Sequence, residues 1–132
     1  MLLEFRVSNY RSIGEEQVLS LIPAFKQKEY IENILESGKY KALNVLSLYG
    51  SNSGGKSNIL KSMSLMDRLV HMSARATSTS KLPYDPFLLR DDFCKQPTSL
   101  EISFIIGENR YRYGFDFNET QIEKEWLFRK SV

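Results

Sequence analysis

Eight residues constrain this chain more than any others. Gly50-Ser51-Asn52-Ser53-Gly54-Gly55-Lys56-Ser57 set glycines and one lysine between the apolar run Val45-Leu46-Ser47-Leu48 and a periodic apolar segment that starts at Ile59. Glycine reaches positive φ without steric cost and lets the backbone come close to a ligand, so successive N–H groups can face one concavity. A helix directly behind such a loop adds its positive dipole end and the unpaired N–H groups of its first turn. The segment is therefore expected to fold as strand, anion-binding loop and helix in succession.

The eight residues satisfy G-x-x-x-x-G-K-[ST], the P-loop pattern. In that pattern the backbone from Gly50 to Gly55 cradles phosphate, Lys56 reaches the β- and γ-phosphates as a point charge, and the Ser57 hydroxyl coordinates Mg²⁺. The plainer alternative is a glycine-rich turn that matches by coincidence. The flanking apolar run and amphipathic helix are the context that separates the two.

Elsewhere the pattern reads as mixed α/β, of the α+β kind. Leu3, Phe5 and Val7 alternate with Glu4, Arg6 and Ser8, and the chain returns through Gln17–Ile22 to Pro23, which predicts an N-terminal β-hairpin over 1–24. Residues 25–43 are mixed and charged and read as a mobile excursion. Residues 44–49 carry few charges and suit a parallel strand covered on both faces, the first part of a strand–loop–helix unit over 44–75. Ile59, Met63, Met66 and Val70, widened by Leu60 and Leu69, give the helix its apolar stripe. Residues 76–99, with Pro83, Pro86, Pro97 and many Ser and Thr, read as a long loop in which Pro86-Phe87-Leu88-Leu89 is pinned to the body. Leu100, Ile102, Phe104 and Ile106 alternate, Gly107-Glu108-Asn109 turns, and Tyr111, Tyr113, Phe115 and Phe117 alternate again; with Ile122–Phe128 they predict an antiparallel meander over 100–128.

Composition excludes several classes. A chain of 132 residues with 42% hydrophobic and 26% charged residues is sized for one core and far from the disordered class. Its net charge of +2 comes from 18 basic and 16 acidic residues that are scattered along the chain, so no dedicated nucleic-acid arm or membrane-binding patch stands out. No apolar run approaches the ~20 residues that span a bilayer, the N-terminus lacks a signal-peptide core, and the single cysteine, Cys94, has no internal partner. A cytoplasmic protein with no membrane contact is expected.

Asn52 and Asn58 extend the loop to GSNSGGKSN, which resembles the SMC/RecF/OLD-like branch of ABC-type ATPases. The opening LEFRVSNYRSI, from Leu3 to Ile13, is similar to that branch's first strand and its NYRS turn. PFLL (86–89), LEISFIIGENRYRYGFDF (100–117) and IEKEWL (122–127) look like the AAA-family ATP-binding proteins of the AAA-15 and AAA-21 kind, found in bacterial defence systems. The resemblance implies an ABC-ATPase head that binds ATP and Mg²⁺ between two heads as a homodimer, with closure coupled to DNA or an attached effector. It implies roles in antiviral defence or DNA repair. It also implies that Arg11 lies near the nucleotide, that Asn52 shapes the loop near the attacking water, and that the meander is the antiparallel subdomain flanking the base.

Hydrolysis requires carboxylates at the end of an apolar strand. Ser103-Phe104-Ile105-Ile106-Gly107-Glu108 has the apolar run but glycine in the aspartate's place, and Phe115-Asp116 and Met66-Asp67 lack the run. No catalytic residue is therefore assigned, and the chain reads as the N-terminal part of a longer ATPase head that is not active alone. Two other readings stay open: a nucleotide-gated assembly module without turnover, and a nucleic-acid-binding module in which Tyr111, Tyr113, Arg110 and Arg112 form a stacking platform. The aromatic row reads more simply as strand core. His71 reads as a surface or packing residue, Cys94 as unreactive and Asp91-Asp92 as solvated.

Overall fold

The computed structural model describes residues 1–24, 30–52, 54–73 and 81–132. Among the described residues the regular structure comprises seven strands, one α-helix and a 3₁₀ turn (Ile31–Asn33): β1 (Leu2–Ser8), β2 (Gln17–Ser20), β3 (Ile34–Ser37), β4 (Tyr40–Leu43), α1 (Lys56–Ser73), β5 (Thr98–Ile106), β6 (Asn109–Phe117) and β7 (Ile122–Ser131). Five of the strands form one antiparallel sheet in the order β2-β1-β5-β6-β7, and β3 and β4 form a separate hairpin.

Alternation explains the sheet. Phe5 lies opposite both Leu19 and Ile102, and Leu100 lies opposite Phe115. One face thus gathers Phe5, Val7, Leu100, Phe115 and Phe117, and α1 covers it with Leu65, Met66 and Leu69. Each such side chain contributes roughly 1.5–3 kcal/mol by leaving water. The helix buries Ser62, Leu65, Met66 and Leu69, whereas Leu60 and Val70 are exposed, so its packed stripe is rotated from the one expected. On the other face the register sets Arg6 beside Glu101, then Gly114, then Trp126. The Trp126 ring crosses Gly114 so closely that a Cβ there would stand 2.5 Å from it, and its Nε1 donates to Glu101 Oε2 at 2.7 Å.

The predicted hairpin and meander are both present, joined edge to edge by β1 against β5. Residues 31–43 differ from the expected excursion: a 3₁₀ turn (Ile31–Asn33) leads into the β3–β4 hairpin, whose Ala42 packs with Leu3 and Ile105. Residues 25–29 of that stretch lie outside the described residues, as do 74–80 of the predicted loop. From 81 to 97 the chain is irregular, as expected.

The predicted parallel strand over 44–49 does not form. Those residues have no strand assignment, and Val45 and Tyr49 are 70% and 91% exposed. A strand of that composition is held by hydrogen bonds to neighbours on both sides. The described sheet is antiparallel throughout and offers none to this segment. The fold is accordingly a mixed α/β arrangement dominated by an antiparallel sheet.

Candidate functional site

The glycine loop meets α1 at Gly55, whose φ of +81° an L side chain rarely adopts. That positive φ turns the chain so that the helix starts at Lys56, and the Gly55 carbonyl accepts from Asn58 N at 2.9 Å. At the other end Gly54 N donates to Ser51 O at 3.2 Å. Lys56 folds back into the loop, where its ammonium donates to Gly50 O at 2.6 Å and to Ser51 O. These two carbonyls hold the cation inside the loop. Ser57 and Asn52 are exposed beside it, and Ser53 lies outside the described residues.

The N-terminal turn forms a second wall. Asn58 Nδ2 donates to Ser12 Oγ at 2.7 Å, which ties residues 46 positions apart. Ser12 Oγ also lies 3.2 Å from where a Cβ on Gly55 would be, so a side chain at Gly55 is opposed both by its φ and by Ser12. Between the walls is a cleft of about 230 Å³ lined by Ser12, Gly14, Gln17, Gly54, Gly55 and Ile59.

Arg11 is placed differently from its neighbour. Its Nε bonds Asp85 Oδ2 at 2.7 Å, its backbone N donates to Asp85 O at 2.8 Å, and its guanidinium lies over the Tyr10 ring. The turn itself rests on Asn9, which is buried at φ +51°. Asn9 Nδ2 donates to Phe93 O at 2.9 Å and Gln96 O at 2.7 Å, while its Oδ1 accepts from Phe87 N at 2.9 Å. Thr98 Oγ1 adds a bond to Asn9 O at 2.6 Å. One side chain therefore fastens the 87–98 segment to the turn that carries Arg11 and Ser12, and Arg11 and Asp85 repeat the link two residues on. The sequence marks Asn9 and Ser12 as residues of a turn, without these side-chain partners, and assigns Asp85 no role. The NYRS turn was the available signal, but its partners are 46 to 89 residues away.

The apolar run Ser103–Ile106 ends in the β5–β6 turn, where Gly107 has φ +56°. Asp67 is exposed on α1, where the Nδ1 of His71 contacts its carbonyl, and Cys94 is exposed. Asp92 pairs with Arg90 at 2.7 Å. Phe115 and Phe117 are buried in the core, Tyr111 stacks on Phe104, and Tyr113 donates to Glu125 at 2.8 Å. Arg110 and Arg112 alternate with these tyrosines and take the opposite face of the sheet.

A loop of this shape at a helix start, walled by an N-terminal turn, defines a class rather than a single chemistry. Residues 45–131 match the family described as "AAA domain, putative AbiEii toxin, Type IV TA system", and the chain belongs to that family. Membership makes it an AAA-domain protein of a nucleotide-binding, ATPase-like family. No curated protein and no solved structure matches the chain. The matched span begins after β4, so Ser12, Gly14 and Gln17 bring to the cleft a wall from outside it. Among the described residues, no helix is long and apolar enough to cross a membrane.

Proposed function

We propose that this chain binds ATP with Mg²⁺ through residues 50–58, as the N-terminal part of an SMC/RecF/OLD-like ATPase head. One observation carries the reading: the Lys56 ammonium is held inside the loop by the carbonyls of Gly50 and Ser51, at the N-terminus of an 18-residue helix. An incoming triphosphate exchanges those carbonyls for phosphate oxygens, and the first-turn N–H groups of α1 add to the same pull. Ser57 offers a single hydroxyl, a donor set too small for a resident metal but suited to an ion that arrives with the phosphates and keeps several waters. The likeness to the wider branch adds pairing of two heads, a cytoplasmic setting and coupling to an effector or DNA in defence or repair.

A second reading, nucleotide binding without turnover by this chain, is favoured by Gly107, which occupies the aspartate's place and sits in a hairpin turn. The test is titration of a fluorescent ATP analogue with Mg²⁺, beside a steady-state phosphate-release assay. Saturable binding is expected, weakened at least tenfold by Lys56→Ala, with no turnover. Equal binding by Lys56→Ala refutes the site, and turnover abolished by Lys56→Ala refutes the second reading.

A further inference from the structure

The sheet face away from α1 carries an arrangement that folding alone does not explain. In the β6–β7 register Arg110 lies directly opposite Lys130, and like charges so placed destabilise a strand pair. Arg112, two residues on and therefore about 6.8 Å along the same face, lies opposite Phe128. Both guanidinium groups are held by one end: Arg110 Nε donates to Ser103 Oγ at 3.2 Å, and Arg112 Nε pairs with Glu101 Oε2 at 3.1 Å. Both are also set against rings, Arg110 at 5.4 Å from the Tyr40 centroid and Arg112 at 4.9 Å from that of Phe128. Among the described residues Glu101 is the carboxylate that pairs with Arg112, Arg110 has none, and neither Lys39 nor Lys130 has a carboxylate partner. A cleft of about 310 Å³ runs between Arg110, Arg112, Phe128 and Lys130, and Phe128 is 56% exposed.

We propose that this face binds single-stranded nucleic acid, with Arg110, Arg112 and Lys130 on successive phosphates and a base stacked on Phe128. A row of anchored cations beside an exposed ring is the combination that holds a strand without reading its sequence. A polyanion laid there removes the Arg110–Lys130 repulsion, and the planar NH₂ pairs suit phosphate oxygens. The Tyr40 phenol lies at the edge of this face: its pKa is lowered, first by a hydrogen bond from Arg110, opposed next by burial, and then by the nearby charges of Lys39, Arg110 and Lys130.

The test is fluorescence anisotropy of labelled oligothymidylate titrated with the full chain at several NaCl concentrations. Since each single-strand phosphate contact contributes about 0.7 to the slope of log K against log salt, Arg110→Gln with Lys130→Gln should flatten that slope by about 1.4 and weaken binding on the order of tenfold. Lys61→Gln with Arg68→Gln on α1, a pair with the same loss of charge, should leave the slope unchanged. Circular dichroism of both double variants checks that they fold. A slope unmoved in the first pair, or flattened equally by the second, overturns the proposal. Equal competition by polyglutamate would assign the face to an acidic protein, and displacement by equimolar ATP would move the strand to the glycine loop; either result overturns it as well.

Discussion

Replacing Asn9 tests how the N-terminal turn is built. Its side chain donates to the carbonyls of Phe93 and Gln96, accepts from Phe87 N, and is 1% exposed. Alanine removes these three bonds, and a longer one to Pro97 O at 3.3 Å, at a place water does not reach. At about 0.5–1.5 kcal/mol for each net bond, with buried groups left unsatisfied, the loss is roughly 2–4 kcal/mol. The φ of +51° adds about 1 kcal/mol, because asparagine tolerates the left-handed region and alanine does not. Asn9→Ala should therefore cost about 3–5 kcal/mol, a large part of the ~5–15 kcal/mol of a typical domain. Asn9→Gly keeps the backbone and loses only the bonds, so it should cost about 1 kcal/mol less. Asn9→Asp should be no better than alanine, since it turns an acceptor oxygen toward two carbonyls. Urea unfolding followed by circular dichroism measures all three. A cost below about 1 kcal/mol for Asn9→Ala, or a glycine variant no better than alanine, would refute the account.

Two further tests address smaller parts of the structure. Ser12→Ala, Asn58→Ala and their combination form a double-mutant cycle, whose coupling in urea melts should be about 0.5–1 kcal/mol for one exposed hydrogen bond; a coupling of zero would show that the walls of the cleft are independent. The Tyr113 phenol is pushed up to about 12, first by burial and then by its bond to Glu125. Its folded pKa lies above the ordinary value near 10. Its contribution is thus complete below pH ~10 and is lost as pH rises through ~12. Tyr113→Phe should remove that decline between pH ~10 and ~12, and an unchanged stability profile would contradict it.

Local chemistry made much of this legible. Leu3, Phe5 and Val7 announced β1, the alternation from Leu100 to Phe117 announced β5 and β6, and the apolar stripe from Ile59 announced a helix opening near Ser57, which begins one residue earlier at Lys56. What stayed hidden depends on distant partners. The run Val45–Tyr49 has the composition of a buried strand, but composition does not supply the neighbours that a buried strand needs. The β3–β4 hairpin is held at Ala42 by Leu3 and Ile105, contacts no short window contains. Arg11 and Ser12 are adjacent in sequence and differ only in what lies across from them, Asp85 in one case and Asn58 in the other.

That difference bears on how the cleft works. Ser12 Oγ accepts a hydrogen bond from Asn58, so its own hydroxyl hydrogen is not used on that amide and can donate into the cleft beside Gly54 and Gly55. Arg11, committed to Asp85, does the opposite: it gives its charge to the 81–97 segment and holds that segment against the turn. The two neighbours thus divide the work, one facing the loop and one bracing the wall behind it. Because Asn9 fixes both through the same turn, a change at Asn9 should reach the glycine loop although Asn9 bonds none of its residues. Weaker nucleotide binding in Asn9→Gly at a temperature where it remains folded is the result this arrangement requires.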